Sequence, residues 1–288
     1  MRVTQLIVFG LGTGAFLLIS TFGFALVRRV EGFLNIAHAE LMSVAAFTTW
    51  YLNVSLGWHF LLAAALALVL TALVALLIAR LVYDPIKHLG PAILLITSVG
   101  VAFVLHGITE AFIGVGIRSF EIPRLDALSV AGVFVAPYRL VLLAIAAVIT
   151  VGLALFLSKT RIGKSIRAMS INRDLAASRG VDIVAASRST WLVAGLLAGL
   201  GGVALGVLGT LTTDIAFEQI LVILAVAIVA GLGSLYGVIL AAFIVGLAMD
   251  LSVLFLPGGY RPVIAFAIVI LVLVVRPRGV AGSVERAA

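Results

Sequence analysis

Side chains able to do chemistry are rare in this apolar sequence. Its long hydrophobic stretches contain four conspicuous ionisable residues, which are His38, Glu40, His106 and Glu110. The first two belong to the string "NIAHAE", in which Asn35 adds an amide. A polar group inside hydrocarbon is costly, and such groups usually mark a substrate or ion pathway or a proton relay. The chemistry indicated is therefore hydrogen bonding and proton transfer along a membrane conduit.

The segment holding Asn35, His38 and Glu40 has two interpretations. It follows a charged stretch with Arg28 and Arg29, so it is compatible with a polar helix end near the membrane interface. Alternatively, its three polar side chains organise a broken helix beside a translocation pathway. The second interpretation makes these residues a structural element of the pathway rather than a substrate-recognition site.

His106 and Glu110 are four residues apart, which places them on one face of a helix. This spacing predicts an intramembrane polar pair that faces the bundle. A proton relay would need such imidazole and carboxylate groups.

Motifs of soluble enzymes are not found in the sequence. It has no HExxH, GxSxG or Asp-rich calcium loop, and "GLGTG" (Gly10 to Gly14) lacks the Gly-Lys-Ser/Thr of a phosphate-binding loop. The absence of cysteine excludes disulfides, thiolate metal sites and cysteine nucleophiles. We therefore expect no catalytic residues, no metal site and no bound cofactor.

The composition is that of a polytopic membrane protein. Hydrophobic residues make up 64% of the 288 positions and charged residues 11%, and the mean hydropathy is +1.31. These values predict an all-α transmembrane bundle with eight or nine membrane segments, forming one domain over residues 1–288. The apolar runs are 4–27, 36–53, 59–83, 91–114, 138–157, 189–209, 219–231, 235–256 and 262–275.

Basic residues are concentrated in one loop, residues 158–188. It contains Lys159, Arg161, Lys164, Arg167, Arg173, Arg179 and Arg188 out of 19 basic residues in the chain. The positive-inside bias makes this loop cytoplasmic. Because the basic residues lie between apolar runs, topology explains them better than nucleic-acid binding.

If the chain crosses the membrane once per apolar run, seven further basic residues lie on the cytoplasmic side, namely Arg28, Arg29, Arg80, Lys87, Arg276, Arg278 and Arg286. Five remain outside, namely Arg2, Arg118, Arg124, Arg139 and Arg261. This asymmetry favours nine crossings with an external N-terminus. Eight crossings, with a re-entrant N-terminal segment, are the alternative.

The run at 219–231 is too short to span a bilayer comfortably, since a helix of that length reaches only about 20 Å of the roughly 30 Å required. Gly231, Gly233 and Gly237 join it to the next run. This pattern predicts a broken helix at membrane depth that lines the translocation pathway. The glycines between Gly195 and Gly209 have small-xxx-small spacing, which favours helix packing.

A short helix is predicted inside the basic loop, from Ile171 to Arg179. Asn172, Arg173 and Asp174 are suited to its start, and Gly180 is suited to a left-handed C-terminal cap. Leu175 and Ala176 would enter a groove of a partner protein, with Arg173 and Arg179 at the rim. The simpler alternative is a solvated loop that only sets topology.

Four motifs, in order along almost the whole chain, resemble the permease subunits of branched-chain amino acid ABC importers. They are "GFLNIAHAE" from Gly32, "RAMSINRDLAASRGVDI" from Arg167, "AGLGSLYGVILAAFIVGL" from Ala230 and "RPRG" from Arg276. Within the second motif the positions matching the family are Ala176, Ala177 and Gly180. Three positions depart from the family pattern, namely Ala39, Ala230 and Tyr236.

The resemblance implies a permease subunit that translocates branched-chain or other hydrophobic amino acids by ATP-driven alternating access. ATP would be hydrolysed by two separate ATPase subunits that dock on the basic loop, at Arg173, Asp174, Leu175, Ala176, Ala177, Arg179 and Gly180. The other implied partners are a second related permease in a heterodimer, an extracytoplasmic binding protein and membrane lipid. The implied location is the inner membrane of a prokaryote.

Alternative functions remain open at this point. Urea and short amides use close relatives of this permease, so they are alternative substrates. An ion-coupled secondary carrier would use the intramembrane His and Glu residues, and a passive channel would need neither ATP nor an ion gradient.

Overall fold

The computed structural model describes residues 2–123, 126–130 and 133–281. Arg124 and Arg286, which entered the predicted charge distribution, lie outside the described residues. Every one of the nine apolar runs forms a helix. In order, with the short helices between them, the helices are α1 (Arg2–Glu31), α2 (His38–Trp50), α3 (Phe60–Ile78), α4 (Asp84–Ile86), α5 (Pro91–Ile113), α6 (Pro137–Lys159), α7 (Arg161–Ile171), α8 (Arg173–Ser178), α9 (Ile183–Leu208), α10 (Ile215–Ala230), α11 (Leu235–Leu251) and α12 (Arg261–Val275).

The predicted fold class, a polytopic helical bundle, is confirmed. Among the described residues, seven helical stretches are long and apolar enough to cross a membrane, and α10 is a shorter apolar helix. Helix α2 continues as a π-helical turn over Tyr51–Ser55. Helix α3 continues through a second π-helical turn, Ala79–Tyr83, into α4 and a 3₁₀ turn at Lys87–Leu89.

Helix α1 lies at the centre of the bundle, where it packs against α11, α9, α6 and α10. Its contact with α11 depends on glycines, because a Cβ at Gly246 would lie only 2.5 Å from the Gly14 nitrogen. Small residues allow such close approach of membrane helices. The string "GLGTG" is therefore part of a helix–helix interface.

The glycines of α9 serve the same purpose, as predicted from their spacing. A Cβ at Gly195 would lie 2.7 Å from the Ala72 Cα on α3, and a Cβ at Gly202 would lie 2.0 Å from the Met42 carbonyl oxygen on α2. Both distances are shorter than real Cβ contacts, so only glycine fits here without a shift of the helices. Helices α2, α3 and α9 are thus packed backbone to backbone.

A small antiparallel hairpin occupies the loop between α5 and α6. Strand β1 (Leu128–Val130) pairs with β2 (Val133–Val135), with Leu128 opposite Val135. The Phe134 N–H donates a 2.9 Å hydrogen bond to Gln5 Oε1, which attaches the hairpin to the first turns of α1. Arg118 earlier in this loop forms a backbone bridge with Leu211.

Candidate functional site

The turn between α1 and α2, residues 32–37, is held by two other helical segments. Gly32 has φ +84°, a conformation that favours glycine. The Tyr83 hydroxyl donates a 3.0 Å hydrogen bond to Asn35 Oδ1. The Ile36 N–H donates a 3.0 Å hydrogen bond to Ser98 Oγ on α5. Asn35 is buried, so its role is to fix an irregular stretch of backbone inside the protein.

His38 connects α2 to α1. Its Nε2 lies 2.9 Å from the Ser20 carbonyl oxygen, and because a carbonyl only accepts, this nitrogen carries the proton and donates. The ring is fully buried and meets Phe24 edge to face, with centroids 6.1 Å apart. His38 therefore joins the two helices through one hydrogen bond and one aromatic contact.

Glu40, at the first turn of α2, has a different environment. Its side chain is 2% exposed, and within the described residues neither carboxylate oxygen has a hydrogen-bond partner. The nearest ionisable group is His106 on α5, whose Nδ1 lies 3.4 Å from Glu40 Oε1. The other ring nitrogen of His106 lies 3.9 Å from Asp214 Oδ1, at the residue preceding α10. Three helices therefore contribute to one polar cluster, Glu40, His106 and Asp214.

The predicted pairing of His106 with Glu110 is wrong. His106 points across to α2 and α10, whereas Glu110, one turn further along α5, is exposed. The reason is that the bundle supplies His106 with two carboxylates from other helices. Spacing within one helix could not reveal these partners.

The basic loop forms two short helices, α7 and α8. Helix α8 covers Arg173–Ser178, and the Leu175 N–H donates a 2.9 Å hydrogen bond to the Asn172 side chain, which caps its N-terminus. Gly180 follows with φ +78°. Ala176 is buried against the neighbouring helices, whereas Leu175 is 55% exposed. Helix α8 thus presents an apolar side chain to the surroundings.

Glu31, the last residue of α1, connects this loop to the transmembrane bundle. Arg173 Nη1 on α8 lies 3.5 Å from Glu31 Oε2, and the Ser187 hydroxyl on α9 donates a hydrogen bond to the same carboxylate. The Glu31 side chain is only 8% exposed. The turn that leads to Asn35, His38 and Glu40 begins at the next residue. A displacement of α8 therefore has a direct physical route to the start of α2.

A family model described as "Branched-chain amino acid transport system / permease component" matches residues 6–273. The chain belongs to this family. The match confirms the resemblance seen in the sequence motifs. Together with the apolar helices, it makes the chain a multi-pass membrane permease of a transport system.

Relatives of the permease match it along most of its length. The high-affinity branched-chain amino acid transport system permease protein LivH of Escherichia coli K12 is 25% identical over 295 residues, covering 96% of this chain and 94% of the relative. BraD of Pseudomonas aeruginosa, which carries the same description, is 25% identical over 297 residues, covering 98% and 96%. The probable LivH of Methanocaldococcus jannaschii is 28% identical over 226 residues, covering 72% and 70%.

The glycine turn between α10 and α11 lies beside an arginine-lined cavity of the permease. Gly231 and Gly233 have φ values of +91° and +88°. With Arg28, Arg29 and Arg278 they line a cavity of about 930 Å³. The turn is therefore at the arginine-rich end of the bundle. Its assignment to the translocation pathway, which includes Gly237, stays a prediction.

Gly237 has a packing role in the same hairpin. A Cβ at this position would lie 2.2 Å from the Ala230 carbonyl oxygen. A further irregular stretch of backbone precedes α10, between Gly209 and Asp214, where Leu211 is fully buried. This stretch ends at the Glu40–His106–Asp214 cluster.

One buried carboxylate of the permease escaped the sequence analysis. Asp250 on α11 is 1% exposed, accepts a 2.5 Å hydrogen bond from the Thr13 hydroxyl on α1, and lies 2.9 Å from Arg261 Nη2 on α12. Its position inside an apolar run was the available signal, as it was for Glu40. The two partners come from distant parts of the chain. This group connects three helices and is separate from the cluster at Glu40.

Proposed function

We propose that this permease is the membrane-spanning subunit of an ATP-driven ABC importer for branched-chain or other hydrophobic amino acids. The family match and the printed descriptions of LivH and BraD support this substrate class. The permease contributes no ATPase site of its own, and ATP is hydrolysed by two partner subunits. It pairs with a second related permease in the inner membrane of a prokaryote and receives its substrate from an extracytoplasmic binding protein.

The observation that carries this proposal is the contact of Arg173 and Ser187 with Glu31. An importer driven by separate ATPases needs a docking element joined rigidly to the translocation pathway. Helix α8 is this element, with Leu175 as its apolar anchor and Arg173 and Arg179 at the rim. Interfaces commonly depend on a few such anchors.

ATP binding to the partners shifts a pre-existing equilibrium between outward-open and inward-open states. A ligand can do this only if it favours one state over the other. Docked ATPases provide that difference by moving α8 together with the end of α1. The turn at residues 32–37 and the start of α2 then move as well, because the turn follows Glu31 directly in the chain. Its hydrogen bonds with Tyr83 and Ser98 change with this movement.

We expect Leu175→Asp to reduce recovery of the ATPase partners about tenfold or more, because it places a charge in the apolar centre of the docking surface. The folded permease should persist, since Leu175 is 55% exposed and supports little of the core. The measurement is a mild-detergent pull-down of the tagged permease with quantitative mass spectrometry.

Val184→Asp is the matched control. Val184 is 53% exposed on the first turn of α9, outside α8. The Val184→Asp variant should retain the ATPases in the pull-down. Equal recovery of the partners from the Leu175→Asp variant and the wild type would overturn the assignment of α8 as the docking element.

A further inference from the structure

The polar cluster of Glu40, His106 and Asp214 contains two carboxylates and one imidazole, so it can carry more negative than positive charge. In the part of the chain that the structure describes, the ion-pair neighbour of both carboxylates is His106, and both oxygens of Glu40 lack a hydrogen-bond partner. A buried carboxylate in this state is costly. The cluster therefore lacks positive charge and hydrogen-bond donors, and a cation with hydrogen-bond donors would supply both.

The cluster is also open on one side. The Glu40 side chain is 2% exposed, the His106 side chain 17% and the Asp214 side chain 79%. This gradient leads from the exterior of the chain to an unpartnered buried carboxylate. A cationic group can approach the cluster at the exposed Asp214, and Glu40 lies at the buried edge of the His106 ring.

Aromatic rings border the cluster. The Phe217 ring meets His106 edge to face, with centroids 5.0 Å apart, and Phe103 lies 5.6 Å from Phe217. Apolar walls with a few convergent polar groups are typical of small-molecule sites. A metal ion is disfavoured, because Glu40, His106 and Asp214 do not converge as metal ligands would, and no other suitable group of three His, Cys, Asp or Glu side chains occurs within residues 2–123, 126–130 and 133–281.

We propose that Glu40 binds the ammonium group of the transported amino acid, with Asp214 attracting this group from the other edge of the His106 ring and Phe103 and Phe217 beside the hydrocarbon side chain. An ammonium group has three donors, which suits the two unpartnered oxygens of Glu40, and charge-assisted hydrogen bonds are the strong ones. This inference rests on the proposed function and adds a selection step within the membrane. Neutral substrates such as urea would leave the carboxylates unpaired.

The start of α2 couples the subsite to the outward-open and inward-open states of the transporter. Glu40 lies five residues beyond Asn35 and follows the turn held by Tyr83 and Ser98. Movement of that turn changes the distance between Glu40 and Asp214, which belong to different helices. The affinity for ammonium therefore differs between the two states of the transporter.

The test is saturation-transfer NMR on the assembled complex in nanodiscs, with empty nanodiscs subtracted. Three probes share one hydrocarbon group: L-leucine, 3-methylbutylamine, which lacks the carboxylate, and 4-methylpentanoate, which lacks the ammonium. We expect leucine and the amine to bind and 4-methylpentanoate to bind at least tenfold more weakly. Glu40→Gln should weaken leucine binding about 10- to 100-fold, the effect of losing a charge-assisted hydrogen bond. Asp214→Asn should weaken it about two- to fivefold, because the exposed Asp214 charge is screened by solvent.

Glu110→Gln is the matched control, because Glu110 is an exposed carboxylate one turn from His106 on α5. It should bind leucine as the wild type does. Co-purification with the ATPases checks that each variant assembles, and Asp214→Asn remains informative if Glu40→Gln does not assemble, since Asp214 is exposed.

Three outcomes would overturn the subsite: no leucine binding by the wild type, equal binding of leucine and 4-methylpentanoate, or unchanged leucine binding in Asp214→Asn. Binding of the amine but not of leucine would also overturn it, since the site would then select a simple cation. ATP-driven leucine uptake by the wild-type complex is measured in parallel. If that uptake is present while the variants bind normally, the subsite is wrong and the importer assignment stands; if it is missing, the importer assignment itself fails.

Discussion

Gly202→Ala, which adds a single methyl group, is expected to disrupt the bundle strongly. The added Cβ would lie 2.0 Å from the Met42 carbonyl oxygen, a backbone atom that cannot rotate away. Helices α2 and α9 would have to separate by more than an ångström. Overpacking of this kind destabilises by about 1–3 kcal/mol or more. We expect a large loss of monodisperse protein and of thermal stability in fluorescence-detected gel filtration.

Gly152→Ala is the control for this substitution. Gly152 lies on α6, and a Cβ there has no atom within 4 Å. Alanine should be tolerated, and its higher helix propensity favours α6 slightly. A Gly202→Ala protein as stable as the Gly152→Ala protein would contradict the close packing of α2 on α9.

Glu31→Gln is expected to uncouple ATP hydrolysis from transport. The substitution removes the negative charge that pairs with Arg173 while keeping a side chain of similar size, so the connection between α8 and α1 is weakened. Loss of a hydrogen bond to a charged group is worth about 1.5–3 kcal/mol, or about 10- to 100-fold in an equilibrium. We expect leucine uptake per ATP hydrolysed to fall by about tenfold or more, measured in proteoliposomes with the full complex.

Asp84→Asn serves as the comparison for Glu31→Gln. Asp84 forms a 2.8 Å ion pair with Lys87, but both side chains are more than 40% exposed, so the pair contributes little. Leucine uptake per ATP hydrolysed by the Asp84→Asn complex should equal that of the wild type. If Glu31→Gln also shows wild-type coupling, force does not reach the pathway through Glu31.

The helices could be predicted well because each depends on local properties. Runs long enough to span a bilayer formed helices, and glycines at small-xxx-small spacing in α9 packed against α2 and α3. The short helix α8 was also foreseeable, since Asn172 and Gly180 are strong start and stop residues. Sequence patterns with a period of a few residues contain this information.

The polar contacts could not be predicted, because they join residues far apart in the chain. His106 meets Glu40 and Asp214, which are 66 positions before it and 108 after it. Asp250 likewise meets Thr13, which is 237 positions before it. The position of the turn at Gly231, at the arginine-rich end of the bundle, could not be predicted, because a short helix can begin inside the bundle as well as end there. In α10 the irregular backbone precedes Ile215.

ATP-driven uptake of labelled leucine into proteoliposomes tests the assignment of this permease to an importer most directly. One preparation contains the permease, its permease partner, both ATPases and the binding protein, and the other contains this permease alone. We expect leucine to accumulate against its gradient only in the complete preparation. This accumulation should depend on ATP and should be unaffected by dissipating proton and sodium gradients. ATP-driven uptake by this permease alone, or uptake that an uncoupler abolishes and ATP depletion leaves intact, would contradict this assignment.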